Sequence, residues 1–324
     1  MGPVSVQSSS DELATVGSRT GLRKRLVAVF AAASLTLAAC QTAPPQGGSV
    51  DRGAMPAVAA VEAAPLPEMP GQVAELGLAP GGEAAPRAHA AIVVDAVSGA
   101  VLYEEAADGL RYPASLTKMM TLYLLFDALD SGRLSLDSAL EVSQNAARQP
   151  PAKIGVKAGT TIAVRQAVQA LAVKSANDVA VVVAENLAGS ESAFAARMTA
   201  KARSLGMRRT RFVNASGLPD TRQVTTARDM AILARALKSR HSGRARAFTA
   251  RSFTYNGRTF EATNNLLGRV AGVDGIKTGY IRLSGYNLAV SARRGGKRVI
   301  AVVIGGKSER ARDSEVTALL ERYL

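Results

Sequence analysis

One segment of the sequence reads YPASLTKMMTLYLLFDAL, at residues 112–129. Apolar residues fall on all sides of a helix over Leu116–Leu129, which predicts a helix buried in a core. Because Pro113 cannot lie inside that helix, Ser115 is predicted at its N-terminus, where backbone N–H groups and the helix dipole favour an oxyanion. Lys118 follows one turn later on the same face and would be buried with the helix. The plainer interpretation is a capping serine followed by a surface lysine.

The hydrophobic period around this segment predicts an α/β protein of the α+β type. A period of two predicts strands at Ala90–Asp95, Ala100–Glu104, Ser252–Tyr255, Arg258–Ala262, Ile276–Tyr280, Tyr286–Ala292 and Lys297–Ile304. A helical period predicts further helices at Ile162–Val173, Ala176–Leu187, Ser192–Leu205, Thr226–Lys238 and Ser314–Tyr323. Two strands, a helical insert, more strands and a terminal helix predict an antiparallel sheet covered by helices.

Histidine and cysteine are scarce in the 324-residue chain, which has two histidines and one cysteine. His89 borders a proline-rich segment and His241 lies in a basic loop, so both are predicted to be ordinary surface residues. A Ser-His-Asp apparatus, a cysteine nucleophile and a disulfide are therefore excluded, and no metal or other cofactor is expected. A hydrolase with this composition needs a serine whose base is a lysine.

Charge and aromatic content bear on the partners. The net charge of +14 favours anionic surroundings, such as nucleic acid, phospholipid or a cell-wall polymer. A diffuse excess of arginine is more often a solvated surface than a binding groove. Aromatic residues make up 4% of the chain and tryptophan is absent, which argues against a module that stacks nucleic-acid bases on exposed rings. No nucleic-acid partner is expected.

The N-terminal region has the features of an export signal. A basic cluster within residues 19–25 precedes an uncharged apolar run at 26–39, which is too short to span a bilayer as a helix. The run ends Leu-Ala-Ala-Cys and resembles a bacterial lipobox, so residues 1–39 are predicted to be a signal peptide and Cys40 to be acylated. Ordinary signal cleavage, with Cys40 incidental, is the alternative.

The rest of the chain divides into a tether and a folded domain. Residues 40–87 contain eight of the thirteen prolines and many alanines and glycines, which predicts a semi-extended tether. Residues 88–324 are predicted to be the catalytic domain. The protein is thus expected to be exported to the cell envelope or periplasm and held at a membrane through a lipid on Cys40.

Two further short motifs follow the first one. Ser175-Ala176-Asn177 begins sixty residues after Ser115, at the start of a predicted helix, where by itself it indicates only a helix cap. Lys277-Thr278-Gly279 begins 102 residues later within a predicted strand. Glycine weakens a strand unless another backbone or a ligand approaches closely. Each motif alone is weak, but the three in this order are specific.

In this order they form the signature set of penicillin-binding proteins and class A β-lactamases. Over residues 88–324 the sequence resembles the serine D-alanyl-D-alanine carboxypeptidases, the low-molecular-mass penicillin-binding proteins. The segments FVNASGL (212–218), TTARDM (225–230) and TNNLL (263–267) are also similar to that family. The resemblance implies a β-lactamase/transpeptidase-like fold, with a five-stranded antiparallel sheet covered by N- and C-terminal helices and an all-helical subdomain.

The resemblance also implies a set of site residues. They are Ser115 (nucleophile), Lys118 (base) and Ser175 (proton relay); Asn177, Lys277, Thr278, Gly279 and Arg312 for substrate binding; and the backbone N–H groups of Ser115 and Tyr280 as oxyanion hole. Arg310 is the alternative to Arg312 as the anchor of the substrate carboxylate. Desolvation and like charge lower lysine pKa values in a shared buried pocket, so a neutral Lys118 can accept the Ser115 proton.

The implied reaction is removal of the terminal D-alanine from peptidoglycan stem peptides ending in D-Ala-D-Ala, through an acyl-enzyme on Ser115. β-Lactams would acylate the same serine as inhibitors. Family members usually carry threonine two residues beyond the glycine of the third motif, where this chain has Ile281 followed by Arg282. This departure predicts a rim that favours a different peptide or a partner.

Three alternatives remain open. A DD-endopeptidase would cut peptidoglycan crosslinks with the same residues. A class A β-lactamase needs a glutamate in an E-x-x-x-N segment, and the string at Glu261–Asn265 lies too close to Lys277 for that loop. A catalytically inactive wall-binding lipoprotein would use only its basic surface, which three intact motifs argue against.

Overall fold

The structure is a computed structural model, which describes residues 86–324 and Gly2. Its strands, in chain order, are β1 Ala90–Asp95, β2 Val101–Glu105, β3 Ala139–Glu141, β4 Thr161–Ala163, β5 Ser252–Tyr255, β6 Arg258–Glu261, β7 Val273–Ile281, β8 Gly285–Arg294 and β9 Lys297–Gly306. Its α-helices are α1 Lys118–Asp130, α2 Gln144–Arg148, α3 Val164–Gln169, α4 Asn177–Ala188, α5 Glu191–Ser204, α6 Ala227–Arg240 and α7 Glu309–Tyr323. Apart from Gly2, the predicted signal peptide lies outside the described residues, as do Cys40 and almost all of the predicted tether.

The predicted antiparallel sheet is confirmed, and its five strands have the order β2-β1-β9-β8-β7. Because successive side chains of a strand point to opposite faces, each central strand serves two cores. On β1, Ile92 faces the core shared with α1 and α6, whereas Val93 faces the core that Val316 and Leu320 of α7 complete. Helices therefore cover both faces of the sheet, and any helix preceding β1 would lie outside the described residues.

The chain between β2 and β5 forms the predicted helical subdomain, with one small sheet added to it. The strands β3 and β4 pair through three residues each, and the hairpin β5–β6 forms a separate two-stranded sheet around Asn256-Gly257. In residues 86–324 no single helix is long and apolar enough to cross a membrane; only α4 and α5 together, bent by 83°, meet that length and composition criterion.

The single helix predicted over Ile162–Val173 is wrong in its details. Ile162 belongs to β4, α3 follows, and a π-helical turn at Ala170–Lys174 ends the segment. The strand is set by pairing of Leu140 with Ile162, a contact across 22 residues that a local hydrophobic period does not reveal. The wider turn leads directly into Ser175, so it positions a site residue.

The prediction of a surface position for His241 is also wrong. Its side chain is 1% exposed, and its Nδ1 lies 2.7 Å from Asp130 Oδ2 while its Nε2 lies 3.3 Å from Asp127 Oδ1. Tyr123 packs edge-on against the ring. Both acidic residues come from α1, so the burial of His241 depends on the packing of α1 and α6. His89, in contrast, is partly exposed and contacts Glu105 and Glu315.

Candidate active site

Ser115 lies in a 3-10 turn, Ala114–Thr117, that continues directly into α1. The turn is fixed to the sheet by Asn287 of β8, whose Nδ2 donates hydrogen bonds to the carbonyls of Tyr112 (3.0 Å) and Pro113 (3.1 Å). Ala114 has φ +48°, a left-handed conformation that is strained for alanine. The packing around the turn must offset this strain. The predicted placement of Ser115 at the helix N-terminus therefore agrees with the structure.

Two glycines allow other segments to approach this turn closely. A Cβ on Gly217 would lie 1.9 Å from the carbonyl oxygen of Ala114, and a Cβ on Gly279 would lie 3.0 Å from the Ser115 nitrogen. Glycine is explained at position 279 of the strand because the backbone of Ser115 approaches it closely. Strand β7 consequently runs directly alongside the Ser115 turn.

Lys118 begins α1 and is completely buried. Its Nζ lies 3.0 Å from Ser115 Oγ and 2.7 Å from Asn177 Oδ1. A third oxygen, the carbonyl of Ser216, lies 2.5 Å away. A neutral amine has two N–H donors and one lone pair. Because Asn177 and Ser216 offer only acceptors to Nζ, they take the two donors, and the lone pair is left for the Ser115 hydroxyl.

Burial governs the charge of both lysines of the site. Desolvation, with the charge of Lys277 as a second cause, lowers the pKa of the Lys118 ammonium well below its usual range. Desolvation, followed by repulsion from Arg312, lowers the pKa of Lys277 to about 7. The predicted lowering of lysine pKa values in a shared pocket agrees with these directions, and the structure adds Arg312 as a third cation.

Ser175 follows the π-helical turn and has φ +62°, the left-handed conformation. Its hydroxyl is buried and has no hydrogen-bond partner within residues 86–324. An unpartnered buried hydroxyl costs free energy unless a ligand or a transferred proton satisfies it. The same cleft, about 350 Å³ in volume, is lined by both Ser115 and Ser175.

Thr278 and Gly279 of the third motif line the cleft, whereas Lys277 does not. Lys277 is buried, and its Nζ donates to the carbonyl of Thr278 at 2.9 Å. The Thr278 hydroxyl donates to Thr263 Oγ1 at 2.6 Å. Tyr280 also lines the cleft, with its side chain half exposed.

Of the two arginines considered as a carboxylate anchor, the structure places Arg312 in the cleft. Its guanidinium is 2% exposed and donates to Asp313 Oδ1 through Nε (2.9 Å) and through a terminal nitrogen (2.6 Å). Glu309 also lines the cleft, 3.5 Å from Arg312. Arg310 does not line the cleft; it lines a neighbouring surface depression that shares Tyr286 and Glu309 with the cleft.

The second motif, Ser175-Ala176-Asn177, is linked to a loop that sequence reasoning did not single out. The Asp178 carboxylate, completely buried at the start of α4, accepts backbone hydrogen bonds from Ile154, Gly155 and Val156. Asn177 holds the same loop, because its backbone N–H donates to the Ala152 carbonyl at 2.7 Å and its Nδ2 to that of Pro150. The loop closes one side of the cleft.

Residues 80–308 match the family model described as D-alanyl-D-alanine carboxypeptidase. The chain belongs to this family. The D-alanyl-D-alanine carboxypeptidase DacF of Bacillus subtilis is 34% identical over 248 residues, which cover 74% of this chain and 62% of that protein. This chain spans about 60% of the length of the curated D-alanyl-D-alanine carboxypeptidases that it matches first.

Solved structures of D-alanyl-D-alanine carboxypeptidases and penicillin-binding proteins share the fold. The carboxypeptidase DacD from Francisella tularensis has a TM-score of 0.71 and 31% identity, with 72% of this chain and 69% of that chain covered. Penicillin-binding protein D2 from Listeria monocytogenes, in an ampicillin-bound form, has a TM-score of 0.64 and 34% identity, with coverages of 74% and 98%. The β-lactamase/transpeptidase-like fold predicted by resemblance is confirmed.

Four residues that the sequence did not assign a role help to build this D-alanyl-D-alanine carboxypeptidase-type site. They are Ser216, Thr263, Asp178 and Asn287. Ser216 and Thr263 fall in the segments 212–218 and 263–267, whose likeness to the family was noted without a function. Asp178 directly follows Asn177, and no sequence signal points to Asn287. All four act by holding another site residue or a wall of the cleft.

The rim of the cleft includes Ile281, where the family usually has threonine. Its side chain lines the cleft and packs against a small apolar cluster of Leu110, Tyr112 and Val224. The apolar residue thus has a packing partner behind the rim. A preference for a different peptide at this rim stays a prediction.

Proposed function

We propose that this chain is a serine DD-carboxypeptidase that removes the terminal D-alanine from peptidoglycan stem peptides. The observation that carries the proposal is the arrangement around Lys118 Nζ, where two oxygens can accept its N–H groups and Ser115 Oγ lies 3.0 Å away. This geometry leaves the amine a lone pair directed at one hydroxyl group. Family membership supplies the substrate class, a peptide ending in D-Ala-D-Ala.

In the first chemical step, Lys118 accepts the Ser115 proton while Ser115 Oγ bonds to the carbonyl carbon of the penultimate D-alanine. The backbone N–H groups of Ser115 and Tyr280 stabilise the oxyanion, each by about 3 kcal/mol. The C–N bond then breaks, and Ser175, 7% exposed at the cleft, gives its hydroxyl proton to the leaving amine of the terminal D-alanine. Ser175 regains a proton from Lys118, which is neutral again for the second step. The product is an ester on Ser115 and free D-alanine.

Cations of the site bind the carboxylate of the substrate. Lys277, Thr278 and Gly279 line up along β7, and Arg312 lies at the end of the cleft. Charge-assisted hydrogen bonds to a carboxylate are about twice as strong as neutral ones, which fixes the terminal residue of the peptide. Water then hydrolyses the ester, with Lys118 as the base, and releases the shortened peptide and free Ser115.

The same nucleophile is proposed to react with β-lactams. The structural neighbour from Listeria monocytogenes is an ampicillin-bound penicillin-binding protein. A class A β-lactamase is disfavoured, because Glu261 is an exposed residue of β6 and does not line the cleft. The β-lactam ring would open as Ser115 Oγ bonds to its carbonyl carbon, and the acyl-enzyme would persist.

The test uses the full chain and its Ser115→Ala variant with a pentapeptide muropeptide and a crosslinked muropeptide dimer. We expect mass spectrometry to show loss of one D-alanine from the pentapeptide with the wild type only. Cleavage of the dimer alone would replace the proposal with an endopeptidase. No change in either substrate would favour a wall-binding lipoprotein without catalytic activity.

We also propose that the protein acts in the cell envelope or periplasm and is attached to a membrane through a lipid on Cys40. The proposal rests on the lipobox-like sequence that ends at Cys40 and on the basic and apolar segments before it. Radiolabelled palmitate should be incorporated into the wild type and not into Cys40→Ser. Equal labelling of both proteins, or of neither, would contradict attachment through this residue.

A further inference from the structure

A second concave site lies at the end of the sheet where β8 turns into β9. We call it the cationic groove. It has a volume of about 430 Å³ and lies beside the end of α6 and the 3-10 helix Arg244–Thr249. Five basic residues line it: Arg235, Lys238, Arg246, Arg293 and Arg298. Asp274 is the acidic residue that lines it.

Most of this positive charge is not compensated within residues 86–324. Asp274 is already occupied, because it forms an ion pair with Lys238 at 2.9 Å and accepts a hydrogen bond from Ser291. Arg235 donates to the carbonyls of Ala96 and Val97, and it also interacts electrostatically with the Asp95 carboxylate. The other three arginines of the groove have no side-chain hydrogen bond or ion pair to the described part of the chain. Three arginines without a carboxylate partner among residues 86–324 thus share the cavity with Arg235.

The register of the β8–β9 hairpin concentrates two of these charges. Arg293 is directly opposite Arg298, and like charges in that position destabilise an antiparallel pair. The next pair, Arg294 and Lys297, is also basic but points to the other face. There Arg294 is compensated by Glu321 of α7 at 3.1 Å. The carboxylate that lines the groove, Asp274, is paired with Lys238 and forms no ion pair with Arg293 or Arg298.

The cationic groove is separate from the catalytic cleft. It adjoins the first residues of β9, whereas the cleft lies near the other end of the sheet, where β9 ends and α7 begins. Eight residues of a strand span roughly 25 Å, so a ligand in the groove would not reach the Ser115 turn. The groove therefore has no part in the proposed reaction.

We propose that the cationic groove binds a ligand that carries at least two phosphate groups. The guanidinium fork matches phosphate oxygens and forms paired, charge-assisted hydrogen bonds with them. One phosphate monoester, with a charge of about −1.5 to −2, would leave at least one of the three unpaired arginines uncompensated, whereas two would balance all three. Either a lipid headgroup with two phosphates or a soluble polyphosphate supplies this chemistry.

The first experiment measures calorimetric binding of inorganic tripolyphosphate and of orthophosphate to the full chain at 0.15 M salt. We expect tripolyphosphate to bind at least tenfold more tightly than orthophosphate. The double variant Arg293→Gln/Arg298→Gln should lose at least tenfold in affinity. The matched control, Arg294→Gln/Lys297→Gln, removes two charges from the same hairpin on the opposite face and should lose less than threefold.

Co-sedimentation with vesicles identifies the source of the phosphates. Cardiolipin vesicles carry two singly charged phosphate diesters per lipid, so two neighbouring lipid molecules would balance the groove, and phosphatidylcholine vesicles are the neutral reference. Binding to cardiolipin that only the groove variant loses indicates a lipid ligand; tripolyphosphate binding without it indicates a soluble one. Equal losses in the groove variant and the control, or no binding of either probe, would overturn the proposal. The pentapeptide assay on the same variants tests the cleft separately.

Discussion

Three oxygen atoms surround the Lys118 amine. Burial and the charge of Lys277 disfavour its protonated form. The closest of the three oxygens belongs to Ser216, outside the three motifs. The amine donates to two oxygens and is left with one direction in which to accept a proton. The same neighbours that lower the pKa therefore also orient the lone pair, and removal of the amine should stop acylation rather than weaken substrate binding.

We predict that Lys118→Met slows acylation of Ser115 by a fluorescent penicillin about 10²- to 10⁴-fold, which is the usual contribution of a general base. Methionine has similar length but leaves Asn177 Oδ1 and the Ser216 carbonyl without a donor, so thermal melting is measured in parallel. Lys157→Met, at an exposed loop position, serves as the control. An acylation rate for Lys118→Met within threefold of the wild type would contradict the assignment of the base.

A second prediction separates the two arginines of α7. Arg312→Gln should raise the KM for a D-Ala-D-Ala peptide about 10- to 100-fold, because a charged hydrogen bond contributes about 1.5–3 kcal/mol. Arg310→Gln should leave KM unchanged, since Arg310 does not line the cleft. Thermal melting is measured in parallel, because Asp313 loses its partner in Arg312→Gln. The opposite pattern of KM values would assign the anchor to Arg310.

At the scale of elements, the Ser115 turn is packed against the backbones of Gly217 and Gly279, where a side chain would clash. We predict that Gly217→Ala lowers the acylation rate at least tenfold, because its methyl group would meet the Ala114 carbonyl at 1.9 Å. Gly217 has φ +85°, so a left-handed alanine alone costs about 1–2 kcal/mol. Gly132→Ala separates the two effects: Gly132 has φ +72° and open space around the added Cβ.

Both variants should lower the free energy of unfolding, measured with urea, while only Gly217→Ala should lose acylation. A normal acylation rate in Gly217→Ala would show that the turn can shift without harm to the nucleophile. A comparable loss in Gly132→Ala would show instead that general destabilisation is responsible.

The elements also show where sequence reasoning stops. The helix around Lys118 could be predicted because its apolar residues cover every side, and β1 was predicted with its observed bounds, Ala90–Asp95. The division of Ile162–Val173 into a strand, a helix and a π-helical turn could not be predicted. The strand forms because Ile162 pairs with Leu140 of β3, which is 22 residues away in the sequence. His241 was misplaced for the same reason, because Asp127 and Asp130 lie more than one hundred residues earlier.

In the molecule as a whole, two cationic sites with different degrees of burial lie near opposite ends of the sheet. Around the cleft, Lys118, Lys277 and Arg312 are almost completely buried, so their charges are coupled to folding. Around the groove, Arg293 and Arg298 are exposed, and water screens them. The three motifs predicted the residues of the first site, whereas the second depends on strand register, which the sequence alone does not fix.

Burial of the Lys277 ammonium should therefore lower the free energy of unfolding of the whole protein. Its pKa is about 7 in the folded protein and about 10.4 in an unfolded chain, so between these values only the unfolded state holds the proton. Stability then rises with pH across that window, by about 1.4 kcal/mol per unit from this residue, and the full penalty is present below pH 7. Lys277→Met removes the penalty.

We predict that Lys277→Met has a higher free energy of unfolding than the wild type at pH 6, and that this advantage shrinks as the pH rises from 7 to 10. Urea unfolding at pH 6, 8 and 10 measures it. Lys297→Met, which removes an exposed charge from the same sheet, controls for the loss of a charge in general. A constant difference between Lys277→Met and the wild type across this range would mean that Lys277 remains charged in the fold. The cleft would then hold a permanent cation, and carboxylate binding would not weaken as the pH rises above 7.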